Sequence, residues 1–184
     1  MSFKSATGNV ELKNFIKVLN EIPAPKKISP SSVNLAFSEY FDYLFSVAQR
    51  LHSFFQDKSF AKTLVDAGVD KYTVENLEFW STMVGKTPDT AATQIYFGDK
   101  PLSYLRELIS TRNPKAAIEY VETVFNIKSK TQNPAELAAS ICDSMAMNIF
   151  NRSKEAHKVL TEKVQGQEAT KPSFFGSLFK GHGK

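Results

Sequence analysis

The chain has 184 residues, 42% of them hydrophobic and 23% charged, the balance of a soluble globular protein with room for one core-bearing domain and appendages. A single cysteine, Cys142, excludes an intramolecular disulfide framework and points to a reducing compartment. The net charge of +4 sits at the ends: residues 1–30 hold five lysines against Glu11 and Glu21, and residues 166–184 hold Lys171, Lys180 and Lys184 against Glu168, so the near-neutral body gives little reason to expect nucleic-acid binding there.

The opening run MSFKSATGNVELKNFIKVL lacks the unbroken apolar stretch of a signal peptide, which makes a cytoplasmic protein the expectation. Residues 1–8 read as flexible. From Asn9 to Leu19 the apolar residues Val10, Leu12, Phe15, Ile16, Val18 and Leu19 stand against Lys13 and Lys17, the pattern of a short amphipathic helix. EIPAPKKISP, from Glu21 to Pro30, holds three prolines and reads as an extended connector.

Ser31 to Gln56 is the most apolar stretch. Its polar residues (Glu39, Asp42, Ser46, Gln49, Arg50, Ser53 and Gln56) recur at helical spacing and leave a wide aromatic face, so it predicts a central helix covered on several sides, opened by Pro30 and the two serines after it. Glu39, Asp42, Arg50 and His52 rule it out as a membrane span.

Further helices follow, each with a start or stop signal. The spacing predicts helices over Phe60 to Val65 with a stop near Gly68, and over Thr73 to Val84 with Thr73 as cap and Gly85 as end. Thr87-Pro88-Asp89 predicts the start of one running to about Tyr96, and Asp99-Lys100-Pro101 the start of the next; Thr93 to Phe97 is the best strand candidate. Asn113-Pro114 opens a helix, and Asn133-Pro134-Ala135-Glu136 opens the last, a capping-box variant. That last pattern holds without Pro or Gly to Gly166, longer than the body needs, so its last turns are expected to project. The fold class is therefore all-α, a bundle-like domain of about seven or eight helices over residues 31–165, with a long C-terminal helix, an N-terminal appendage over residues 1–30 and a short aromatic tail over 166–184.

In that tail a linker-like run, Gly166 to Pro172, precedes Phe174, Phe175, Leu178 and Phe179, and then Lys-Gly-His-Gly-Lys. At helical spacing Phe174 or Phe175 faces Leu178 or Phe179. Three destinations compete: a groove in the same domain, a second copy or a protein partner, and a membrane surface with the lysines at the headgroups.

Chemistry-bearing motifs do not appear. His52, His157 and His182 form no HExxH or paired spacing and Cys142 has no Cys-x-x-Cys partner, so neither a metal nor a cofactor is expected. Cys142 lies near the apolar stripe of the last helix, where burial keeps a thiol inert. No G-x-S-x-G, P-loop or G-x-G-x-x-G occurs. A site assembled in space would show as perturbed carboxylates, with Asp42, Glu78 and Asp143 as candidates. The run LRELISTRNPKAAIEY resembles the helix breaks of phasin-type granule proteins; the resemblance is confined to that run, the Phe-rich first half departs from it, and no activity or site is carried over.

The sequence thus favours a non-enzymatic interaction or assembly protein that docks to itself or a protein partner through Phe174, Phe175, Leu178 and Phe179. The alternative is a nucleic-acid-associated accessory protein, with Lys13, Lys17, Lys26, Lys27, Arg152, Lys154 and Lys158 as phosphate contacts, diluted on the last helix by Glu155 and Glu162.

Overall fold

The structure, a computed structural model, describes residues 2–111, 114–125 and 133–170, with side chains described for 10–111, 115–124 and 133–166. In chain order these are α1 (Ser2–Glu21), α2 (Val33–Phe55), α3 (Phe60–Asp66), α4 (Lys71–Ser81), α5 (Pro88–Gln94), β1 (Tyr96–Phe97), β2 (Lys100–Pro101), α6 (Leu102–Ser110), α7 (Pro114–Phe125) and α8 (Pro134–Thr170). The fold is all-α, with eight helices among the described residues and the long last helix that the sequence predicts.

Local chemistry accounts for most of the boundaries. Ser32 Oγ accepts the N–H of Leu35 at 3.0 Å and opens α2. Thr87 Oγ1 accepts from the N–H of Thr90, Pro88 takes the first helical position of α5, and Asp89 sits in its first turn. Asn133 Oδ1 accepts from the N–H groups of Ala135 and Glu136 at 2.9 and 3.2 Å and starts α8.

Four boundaries differ from the sequence reading. Helix α1 begins at Ser2, not Asn9, so residues 2–8 are helical rather than irregular. Thr73 does not cap α4: Asp70 Oδ2 accepts the Thr73 N–H at 3.2 Å, and Thr73 lies buried inside the helix. Asp99-Lys100-Pro101 leads into the helix rather than forming its first turn: Lys100 and Pro101 pair as a strand with Phe97 and Tyr96, Pro101 is the N-cap, and α6 begins at Leu102. Helix α8 runs through Gly166 to Thr170, so the linker reading of Gly166 to Pro172 gives way to helix up to that point. At about 1.5 Å per residue, its 37 residues span roughly 55 Å.

The chain divides into two compact units: residues 1–23, 50–81 and 151–184 form unit one, and residues 24–49 and 82–150 form unit two. Unit one is built around Phe15 of α1, which is fully buried. Its ring meets Phe54 and Phe60 edge-on at 4.9 Å between centroids and Phe55 at 5.9 Å. Leu64, Leu77 and Leu160 are also fully buried in that unit. The N-terminal helix is therefore part of a core, at about 1.5–3 kcal/mol for each large apolar side chain removed from water.

Unit two buries the aromatic face of α2, with Phe37, Tyr40, Phe41 and Leu44 all at 2% exposure or less. Leu102 and Leu105 of α6 and Ala138 and Cys142 of α8 are fully buried in the same unit. Residues 24–30 of the Pro-rich connector belong here too. Ile28 is 4% exposed, and its N–H donates to Asp143 Oδ1 on α8 at 2.8 Å.

Candidate functional site

The four apolar anchors expected from the sequence, Phe174, Phe175, Leu178 and Phe179, follow α8 and lie outside the described residues. What the structure gives is their approach. Val164 is buried, Gln165 and Gly166 are exposed, and the helix continues to Thr170.

The basic residues are divided. Lys13 and Lys17 are exposed on α1 and belong to unit one; Lys26 and Lys27 are exposed on the connector and belong to unit two. Lys154 and Lys158 are exposed one turn apart on the part of α8 in unit one. Arg152 is occupied within unit one. Its guanidinium carbon lies 4.8 Å from the centre of the Tyr72 ring, Nη1 donates to Thr73 Oγ1 at 3.1 Å, and the same nitrogen stands 3.6 Å from Glu155 Oε2. Arg152 thus holds the start of α4 to α8, with Glu155 offsetting its charge.

The tight turn of unit two gathers residues that the sequence reading keeps apart. Gly98 has φ +73°, and a Cβ there would fall 2.9 Å from Val124 Cγ2 and 3.2 Å from the Tyr120 hydroxyl. The Tyr120 hydroxyl donates to the Phe97 carbonyl and lies 3.4 Å from Asp99 Oδ1. The Tyr104 ring meets Tyr120 edge-on at 6.0 Å, and Lys100 Nζ lies 5.4 Å from the Tyr104 ring centre. Burial first, and then the Asp99 carboxylate, raise the Tyr120 phenol above its ordinary value of 10.0, so it stays a neutral hydrogen-bond donor. Tyr96, on β1, is 63% exposed and Tyr104, on α6, is 42% exposed. Each ring offers apolar area with a polar tip.

No family model, curated protein or solved structure matches the chain.

The candidates for reactive chemistry have structural surroundings. Burial, then the charges of Asp143 and Glu39, raise the Cys142 thiol far above its ordinary value. Asp143 accepts the Ile28 N–H, and Asp42 is exposed. Glu78 belongs to unit one and Asp42 and Asp143 to unit two. His157 is held below its ordinary 6.5 by burial and by Lys154, and His52 Nε2 pairs with Gln56 Nε2 at 2.9 Å. Among the described residues no group of three or more His, Cys, Asp or Glu could hold a metal ion, and no helix is long and apolar enough to cross a membrane.

Tyr96 and Tyr104 are exposed aromatics whose surroundings the sequence reading misses. Helical spacing puts Tyr96 at a helix end and Tyr104 on an apolar stripe. The signal for the turn is Gly98-Asp99 set between Phe97 and Lys100, a two-residue hairpin loop with glycine first.

Proposed function

We propose that this chain is a helical interaction or assembly protein that docks to a second copy, or to a protein partner, through Phe174, Phe175, Leu178 and Phe179. The supporting observation is the course of α8, whose last buried side chain among those described is Val164 and which stays helical to Thr170, four positions before the first anchor. On this reading the four anchors meet another molecule rather than the chain's own core. Each anchor contributes about 1.5–3 kcal/mol on full burial, before ordering costs are subtracted. The phosphate-binding alternative has less support, because Arg152 is engaged by Tyr72, Thr73 and Glu155 and the lysines are shared between two units.

The test is light scattering behind size exclusion, on the full chain and on a full-length variant with all four anchors changed to Ala, at low and high salt. The expected result is an associated parent and a single-chain variant, with masses insensitive to salt because aromatic docking carries little net charge. The variant should melt at the parent's temperature. Equal masses for the two proteins would remove self-assembly from the proposal. A large loss of melting temperature would mean the anchors belong to the chain's own core and overturn the docking reading.

A further inference from the structure

Residues 24–30 are held to unit two by an unusual set of contacts. The segment has no regular structure, and Pro25 and Pro30 have no N–H to give. Its two long-range hydrogen bonds both end on carboxylates. The Ile28 N–H donates to Asp143 of α8 at 2.8 Å, and the Ser29 N–H donates to Glu39 of α2 at 3.2 Å. The backbone thus bridges the two helices through side chains instead of joining a ladder or a helix. Ile28 is the buried anchor at 4% exposure, while Ala24, Lys26 and Lys27 are exposed.

Next to the two carboxylates in the chain stand two buried polarisable groups. Tyr40 follows Glu39, Cys142 precedes Asp143, and both are at 2% exposure or less. Because the two donors are consecutive residues, Glu39 of α2 and Asp143 of α8 are brought to the same place, and the buried positions next to them flank that seam. The helices themselves are fixed by continuous buried faces, Phe37, Phe41 and Leu44 on one and Leu137, Ala138 and Ile141 on the other. In the segment itself Ile28 is the one buried side chain, Pro25 and Ser29 are half-buried, and two hydrogen bonds tie its backbone to the helices. Backbone with so little local bonding belongs to the low end of a protein's range of opening free energies.

We infer that residues 24–30 form a latch that opens as a local unit, lifting Ile28 from the seam and baring Cys142 while α2 and α8 stay folded. The thiol serves here as the reporter of opening. It is the chain's single cysteine, so its labelling needs no background correction.

The experiment is maleimide labelling of the full chain, read by intact mass, across sub-denaturing urea, with global unfolding followed in parallel by far-UV circular dichroism. Sub-global opening exposes less surface than unfolding, so the parent's labelling rate should rise with urea much less steeply than the unfolding equilibrium does. Removing a carboxylate would alter the thiol's own reactivity as well as the latch. The variant of choice is therefore Ile28→Ala, which leaves both carboxylates in place. It should label at least tenfold faster with the unfolding midpoint little changed, as expected for loss of a buried aliphatic anchor. Asp42→Ala, on the exposed side of α2, should label at the parent rate. A parent whose labelling tracks global unfolding in urea would overturn the latch, since the thiol would then be reached only by unfolding the unit. So would an Ile28→Ala protein that labels at the parent rate. Should that variant fail to fold, the parent's urea dependence still decides.

Discussion

Gly98 and Gly85 separate two costs that a glycine can avoid. Both hold positive φ, +73° and +77°, where a side chain is strained. A Cβ added at Gly85 would meet nothing within 4 Å, whereas at Gly98 it would meet Val124 at 2.9 Å and the Tyr120 hydroxyl at 3.2 Å. Gly85→Ala should therefore cost only the backbone term, about 1 kcal/mol, and Gly98→Ala that term plus overpacking, about 2–4 kcal/mol in all, measured by urea denaturation. Gly166→Ala, in α8 with open space around it and no positive φ, should instead stabilise by about 0.5 kcal/mol. Glu11 gives a prediction with a pH signature. Burial first, then the charge of Asp57, hold its carboxyl above the ordinary 4.5. The folded state then binds that proton more tightly than the unfolded chain does. The favourable contribution is present at low pH and is lost as pH rises through the folded value. Glu11→Gln should accordingly melt above the parent at pH 7, with the difference vanishing below about pH 4, where both states are protonated.

Among the elements, α1 is the one whose role changes most between sequence and structure. Its apolar spacing is legible, but its place in a core is not, because the three rings that receive Phe15 lie about forty positions away, across a proline-rich connector. Phe15→Ala should cost about 3–5 kcal/mol in chemical denaturation, the range for a buried ring whose cavity cannot close. A cost below about 1 kcal/mol would mean that α1 is an appendage after all. Helix starts are readable wherever a cap, a proline and a carboxylate stand together, as at Thr87 and Asn133. Helix ends are less so. Gly68, Gly85 and Gly98 stand at positive φ where segments end or turn, while the helices run on through Gly8 and Gly166, since one helical glycine costs only about 1 kcal/mol and does not by itself break a helix. Thr73 misleads for a related reason: a threonine near a helix start resembles a cap, and only the geometry shows Asp70 in that role and the Thr73 hydroxyl accepting from Arg152.

At the scale of the whole molecule, the all-α class is legible because helical periodicity survives in nearly every segment, while the division into two units is not. Helices α2 and α8 each give one part to either unit, so at those two crossings no linker or composition shift marks the boundary, whereas the crossing between residues 23 and 24 falls in the proline-rich connector. The candidate site shows the same limit. The anchors after α8 stand out by composition alone, whereas the cluster of Phe97, Tyr104 and Tyr120 exists only once the Gly98 turn brings them together. The latch is visible in sequence as a proline-rich connector, but its acceptors, Glu39 and Asp143, are more than a hundred positions apart. Unit one has a further consequence, for synthesis on the ribosome. Its first segment ends at residue 23 and its last begins at residue 151, so a nascent chain holds Phe15, Phe54, Phe55 and Phe60 for roughly 5–20 s, at about 5–20 residues per second, before the closing helix has been made. Completion of that unit is thereby deferred until α8 has been made, and the buried side chains that α8 supplies, Leu160 and Val164, are missing from it throughout that interval.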